Sequence, residues 1–253
     1  MQHWELLLFF SGIAFIYASV GFGGGSSYLA VLALYALPFK ELRLIALICN
    51  VIVVSGGVYI YIKNGQVNWK KILPLVLLSV PMAYIGATMR LSQHTFFVIL
   101  GLSLVAAAGL LWIKTDPATL NKISESKEHI FLKNGMLGGS IGFLSGMVGI
   151  GGGIFLSPIL NLMEWDVPKK IAATASLFIL VNSISGIFGQ LTTLPGNVNY
   201  TRMSLLCLAV CIGGQLGSRL AIKFNPLIIR RMTAVLVFCA GMNVLFKHIP
   251  SFF

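Results

Sequence analysis

The sequence predicts an all-α polytopic membrane protein made of two homologous repeats, and three observations predict it. Of its 253 residues 57% are hydrophobic and only 10% are charged, where a soluble domain carries about 25% charged residues. The apolar residues fall in runs of the length that crosses a bilayer, roughly 20 residues each. A set of short motifs also recurs, in the same order, in both halves of the chain. So few charges would not keep a protein of this size monomeric in water, and the mean hydropathy of +0.90 is that of a chain dissolved in lipid.

The repeat rests on four collinear matches. Gly21–Gly25 (GFGGG) returns as Gly149–Gly153 (GIGGG), Ser55-Gly56 as Ser185-Gly186, Gly65–Trp69 (GQVNW) as Gly196–Tyr200 (GNVNY), and Tyr84–Ala87 (YIGA) as Gln215–Ser218 (QLGS). Collinear matches at nearly constant separation point to duplication, a recurrent plan among transporters. Residues 1–113 form the first predicted repeat, 114–131 a cytoplasmic linker and 132–253 the second repeat.

Taken in order, the apolar runs of the first repeat are 5–37, 43–62, 72–90 and 95–113. The run 5–37 has glycine at its centre, and a glycine cluster is a poor helix interior. It is therefore read as two half-helices with a break. The run 72–90 contains Pro74 and Pro81, which predict a kink that neighbouring helices can accommodate. The linker carries Lys114, Asp116, Lys122, Glu125, Lys127 and Glu128. The second repeat follows with 132–163, again broken by glycine, then 170–192, 202–222 and 229–246. Each repeat thus begins with a glycine-broken helix or a re-entrant hairpin, followed by three spanning helices.

The basic residues choose between those two forms. If each long run crosses once, the 18 Lys and Arg divide nine to nine. If each long run is a hairpin, one side keeps Lys40, Arg43, Arg90, Arg202 and Lys247 and the other takes the remaining thirteen. Cytoplasmic loops carry the excess of Lys and Arg, so the hairpin form is favoured. It makes the two repeats inverted relative to each other, with both termini outside and the linker in the cytoplasm.

A broken helix leaves backbone N–H groups free at the start of its second half. With the positive end of the helix dipole they suit an anion, and glycine lets a ligand approach the backbone closely. The candidate substrate-binding residues in the breaks are Gly23, Gly24, Gly25, Ser26, Ser27, Gly151, Gly152 and Gly153. Asn50, Thr174, Ser176 and Asn182 are added from polar positions within the apolar runs. Tyr28 supplies a further hydroxyl. The competing reading for the glycines is close helix packing, and for the polar residues hydrogen bonding between helices.

The two G-x-G-G-G breaks, Pro158, Ala175-Ser176, Asn182-Ser183-x-Ser185-Gly186 and Gly213-Gly214-x-x-Gly217-Ser218-Arg219 together resemble the TauE/SafE family of sulfite and sulfonate exporters over nearly the whole chain. The resemblance implies a plasma-membrane (inner-membrane) transporter exporting a small sulfur-containing anion. Ser26, Ser27 and Tyr28 depart from the plainer apolar stretch of the family pattern. Two alternatives stay open beside export: an anion channel, and an uptake permease for a related anion such as thiosulfate or a carboxylate.

Other classes are disfavoured. The net charge of +11 is spread over short polar breaks between apolar runs, which is not a nucleic-acid face. Cys49, Cys207, Cys211 and Cys239 sit inside apolar runs, and Cys207 and Cys211 lack companion ligands for a metal. No nucleophile, acid and base set is gathered as an enzyme requires. No cofactor and no metal are expected. The expected partners are the small anionic substrate and the lipid bilayer, with a homodimer left open. Every Asp, Glu and His lies at a run end or in a loop, whereas proton-coupled carriers keep an ionisable group within the membrane.

Overall fold

The computed structural model describes residues 4–35, 37–89, 91–112, 127–192, 199–220 and 226–248, and these are helical with no strand among them. Ten helices follow one another: α1 (Glu5–Ala18), α2 (Gly25–Leu34), α3 (Phe39–Lys63), α4 (Trp69–Thr88), α5 (Gln93–Trp112), α6 (Lys127–Val148), α7 (Gly153–Leu162), α8 (Pro168–Leu191), α9 (Tyr200–Leu220) and α10 (Pro226–His248). Both long glycine-centred runs are divided, into α1 and α2 and into α6 and α7. α3, α4, α5 and α8 are long and apolar enough to cross a membrane. Outward-facing residues such as Leu73, Leu77, Leu102 and Phe188 are exposed, as a lipid-facing surface requires.

Several boundaries differ from the sequence reading for physical reasons. α4 begins at Trp69, three residues before the predicted run 72–90, and holds both Pro74 and Pro81 inside one helix, as that run expects. α6 starts at Lys127, inside the stretch read as linker, and 114–126 lies outside the described residues. Arg219 falls in the last turn of α9 and not in a loop. Arg43, counted as a loop charge, is in the second turn of α3 and is 4% exposed. α3 begins immediately after Pro38, whose fixed φ suits entry to a helix, so the helix takes in charges that an apolar-run count leaves outside.

The packing pairs off across the two halves. α1 lies on α9 as α6 lies on α4; α2 touches α3 and α10 as α7 touches α8 and α5; α3 pairs with α8, and α5 with α10. Exchanging the halves maps this set of contacts onto itself. Glycine makes the closest of these approaches. Gly138, Gly142 and Gly146 of α6 lie directly against the backbone of Leu75, Ser79 and Ala83, and Gly213 and Gly217 of α9 against that of Ser11 and Phe15. There is no room for a Cβ at these points, the small-residue packing that lets membrane helices meet backbone to backbone. In both sets the contacts advance together along the two helices, so α4 and α6 run in one direction, as do α1 and α9.

Two ion pairs occupy equivalent places. Lys71 at the start of α4 meets Asp166 before α8 at 3.0 Å, donates to the Trp165 carbonyl at 2.8 Å and lies over the Trp165 ring. Arg202 at the start of α9 meets Glu41 at the start of α3 at 3.5 Å. Partial burial pushes the Asp166 carboxyl up. The hydrogen bonds from Lys71 and from the Val167 N–H, with the charges of Lys71 and Lys170, outweigh it and hold the carboxyl below its ordinary range.

Candidate functional site

The two helix breaks meet in the interior. Residues 21–30 are buried throughout, as are 148–158. In the first break Gly21 and Gly24 have φ near +80°, and in the second Gly149, Gly151 and Gly152 do. This is the left-handed region that side chains rarely adopt. Gly24 and Gly152 are the residues that open α2 and α7. A non-glycine residue at either would also press its Cβ into a ring, Tyr28 for Gly24 and Phe178 for Gly152, each at 2.8 Å.

Asn50, in the middle of α3 and fully buried, joins the breaks. Its side-chain oxygen accepts from the Gly25 N–H at 2.8 Å, and its amide nitrogen donates to the Ile150 carbonyl at 2.9 Å. Gly23 and Gly25 leave space for it, since a Cβ on either would overlap the Asn50 amide. On the other side Ile179 of α8 fills the equivalent place beside Gly153. The polar bridge is therefore supplied once, from the first half, while an apolar residue takes the matching position in the second.

Once Asn50 has taken the Gly25 donor, the N–H groups of Gly23, Gly24, Ser26 and Ser27 meet no acceptor among the described residues. Nor do those of Gly151, Gly152, Gly153 and Ile154. Two clusters of buried donors thus stand at the N-termini of α2 and α7, each ten residues long. Aligned donors with the positive end of a helix dipole attract an anion.

The remaining predicted residues sort into those at the breaks and those turned elsewhere. Ser176 is at the first break: its hydroxyl lies 2.6 Å from the Gly21 carbonyl and 2.9 Å from that of Ala172. Ser26 and Ser27 are at the break too, but their hydroxyls gather on the Tyr17 hydroxyl at 3.2 and 2.7 Å. Thr174 bonds back to the Lys170 carbonyl on its own helix. Asn182 likewise donates to the Phe178 carbonyl, leaving its buried side-chain oxygen without a partner. Tyr28 stacks on Phe10 with ring centroids 4.6 Å apart, and its buried hydroxyl has no partner among the described residues.

Three residues at the second break were not in the predicted set. A Cβ on Gly151 would meet the Ser183 hydroxyl at 2.8 Å, and one on Gly152 would meet Ser145 at 3.1 Å; both hydroxyls are buried and have no partner among the described residues. Arg43 packs against Gly149 and donates from Nη2 to the Gly146 carbonyl at 3.0 Å. The signal for Arg43 was its spacing. It precedes Asn50 by two helical turns, and residues so spaced share a helix face.

The sequence profile described as "Sulfite exporter TauE/SafE" matches residues 6–244. Among named relatives, the probable membrane transporter protein y4hK of Sinorhizobium fredii is 30% identical over 95% of this chain and 97% of its own length. YunE of Bacillus subtilis, also called a probable membrane transporter protein, is 25% identical over 76% of this chain and 75% of its own length. A probable membrane transporter protein of Methanocaldococcus jannaschii is 24% identical over 75% and 73% respectively. No solved structure matches. With the profile spanning almost the full sequence and relatives named as membrane transporters on either side, the chain belongs to the sulfite exporter TauE/SafE family of membrane proteins.

Proposed function

We propose that the chain exports a small sulfur-containing anion of the sulfite or sulfonate class across the plasma (inner) membrane, through a central site formed by the two glycine-rich breaks. The observation that carries this reading is the pair of buried N–H clusters held next to each other by Asn50. Interior donors without acceptors are costly, and an oxyanion satisfies several at once. The sulfur class comes from the family. A thermal-melt titration of the purified full chain tests it, with sulfite, sulfate, thiosulfate, taurine, sulfoacetate and acetate as probes. Saturable stabilisation by a sulfur oxyanion and none by acetate is the expected result. Stabilisation by carboxylates alone, or by no anion, rejects the reading.

The repeats in this proposal are inverted, each opening with a re-entrant hairpin. The helix directions support it. The Lys71–Asp166 pair puts the end of α7 at the end of the bundle where α4 starts. α6 also starts there, because it runs alongside α4. The Arg202–Glu41 pair and the α1–α9 contact argue the same for α1 and α2 at the opposite end. Single cysteines replacing Lys40 and Lys169, in a background lacking the native cysteines, are then expected to react with a membrane-impermeant maleimide from opposite sides. Reaction of both from one side overturns the inverted arrangement.

A further inference from the structure

Arg43 is a buried cation with no anion beside it among the described residues. It is 4% exposed, and its polar partners among the described residues are one carbonyl, that of Gly146 at 3.0 Å, and the face of Phe96, whose centroid is 5.6 Å from the guanidinium carbon. Nε has no hydrogen-bond partner. Glu41, two residues before it, is engaged with Arg202. A guanidinium offers five donors, and buried charges in proteins are paired, because an unpaired one costs several kcal/mol or more. The Gly146 carbonyl, in the last turn of α6, supplies the favourable end of a helix dipole, which offsets part of that cost but neutralises no charge.

The place of this cation matters. Its Cβ and Cγ lie 3.5 Å from where a Cβ on Gly149 would be, and Asn50 on the same face of α3 holds Ile150. One helix face thus brings the Asn50 amide to the second break and lays the Arg43 stem beside Gly149, its guanidinium reaching Gly146 in the last turn of α6 just before the break. At the first break the corresponding neighbours are neutral. A Cβ on Gly21 would meet the Ser176 and Tyr61 hydroxyls and the Ala172 carbonyl at 3.1 to 3.3 Å. The pseudo-symmetric plan is broken here by a single charge.

We propose that Arg43 is the cationic contact for the transported anion at the second break, so that the substrate itself is its missing counter-ion. This rests on the anion-transport reading above and deepens it. It makes the site intrinsically selective for a charged oxyanion over a neutral solute of the same size, since only the former satisfies the guanidinium. It also gives the site polarity, because the charge stands on the side of the breaks toward the start of α3. By the distribution of basic residues that is the outer side.

The test uses the full chain in proteoliposomes, with sulfite and sulfoacetate as probes. Arg43→Gln is expected to raise the half-saturation concentration for anion flux at least tenfold. In the absence of anion it is expected to melt no lower than the wild type, since it removes an uncompensated charge. The melting increase that sulfite gives the wild type should be lost. Arg43→Lys keeps the charge without the planar fork and is expected to fall between the two. It also serves if Arg43→Gln does not fold. A variant that melts lower yet keeps the wild-type half-saturation and anion-induced shift overturns the proposal and makes Arg43 a cap on α6. If the wild type itself shows neither flux nor shift with either probe, the transport reading falls and takes this one with it.

Discussion

Replacing Asn50 with Leu is expected to abolish anion flux and to destabilise the protein by about 2–6 kcal/mol. The range follows from two groups, the Gly25 N–H and the Ile150 carbonyl, each left buried without its partner at about 1–3 kcal/mol. Leucine has the same branched shape and is somewhat bulkier, so a cavity does not enter. Flux is lost because the two breaks then have no shared anchor and the free donors of one no longer stand in register with those of the other. Asn50→Asp separates geometry from charge. It keeps an acceptor for Gly25, loses the donor to Ile150 and sets a carboxylate beside the candidate anion site. It should therefore abolish flux even where enough folded protein remains to purify. Flux from proteoliposomes, normalised to the folded fraction by size-exclusion profile, decides the matter. Near-normal flux through Asn50→Asp would show that the bridge is structural alone.

Efflux of a strong-acid sulfonate is expected to follow membrane voltage and to ignore an imposed pH gradient. One charge moved through 100 mV is worth about 2.3 kcal/mol, which at about 1.4 kcal/mol per factor of ten is roughly a fifty-fold concentration ratio. A cell with a negative interior therefore drives a monoanion outward with no coupling ion. The two acids in ion pairs fit this expectation. Glu41 is buried but lies at the start of α3 and is held by Arg202 at 3.5 Å, and Asp166 is held by Lys71 outside the bundle core. Potassium and valinomycin set the voltage at equal pH in one arm, and a pH step at zero voltage forms the other. A flux that tracks the pH step and not the voltage points to a proton-coupled carrier, with Glu41 and Tyr28 the first groups to substitute.

Much of the fold was legible in the sequence. The break positions followed from glycine, because side chains rarely adopt the φ of about +80° found at Gly24 and Gly152, and the recurrence of the two motifs at matching places is what predicts two repeats. What composition could not convey was partnership. Ser26, Ser27 and Thr174 looked equivalent to Asn50 as polar residues in apolar runs. Folding turned the first two onto Tyr17 and the third onto its own helix, whereas Asn50 spans both breaks. Arg43 read as one more loop charge because a basic residue near a run end has the same local pattern whether it faces solvent or the core.

The sequence by itself determined the solvent of this protein, the recurrence of its motifs and the places where its helices break. Each of these depends on local chemistry: the apolar length of a run, the recurrence of a motif, the backbone freedom of glycine. Tertiary structure alone decided which side chains meet. Asn50 lies 100 positions from Ile150, and Arg43 lies 103 from Gly146. Such contacts exist only once α3 of one half packs along the breaks of both, because a hydrogen bond is set by distance and direction in space and leaves no periodic trace along the chain.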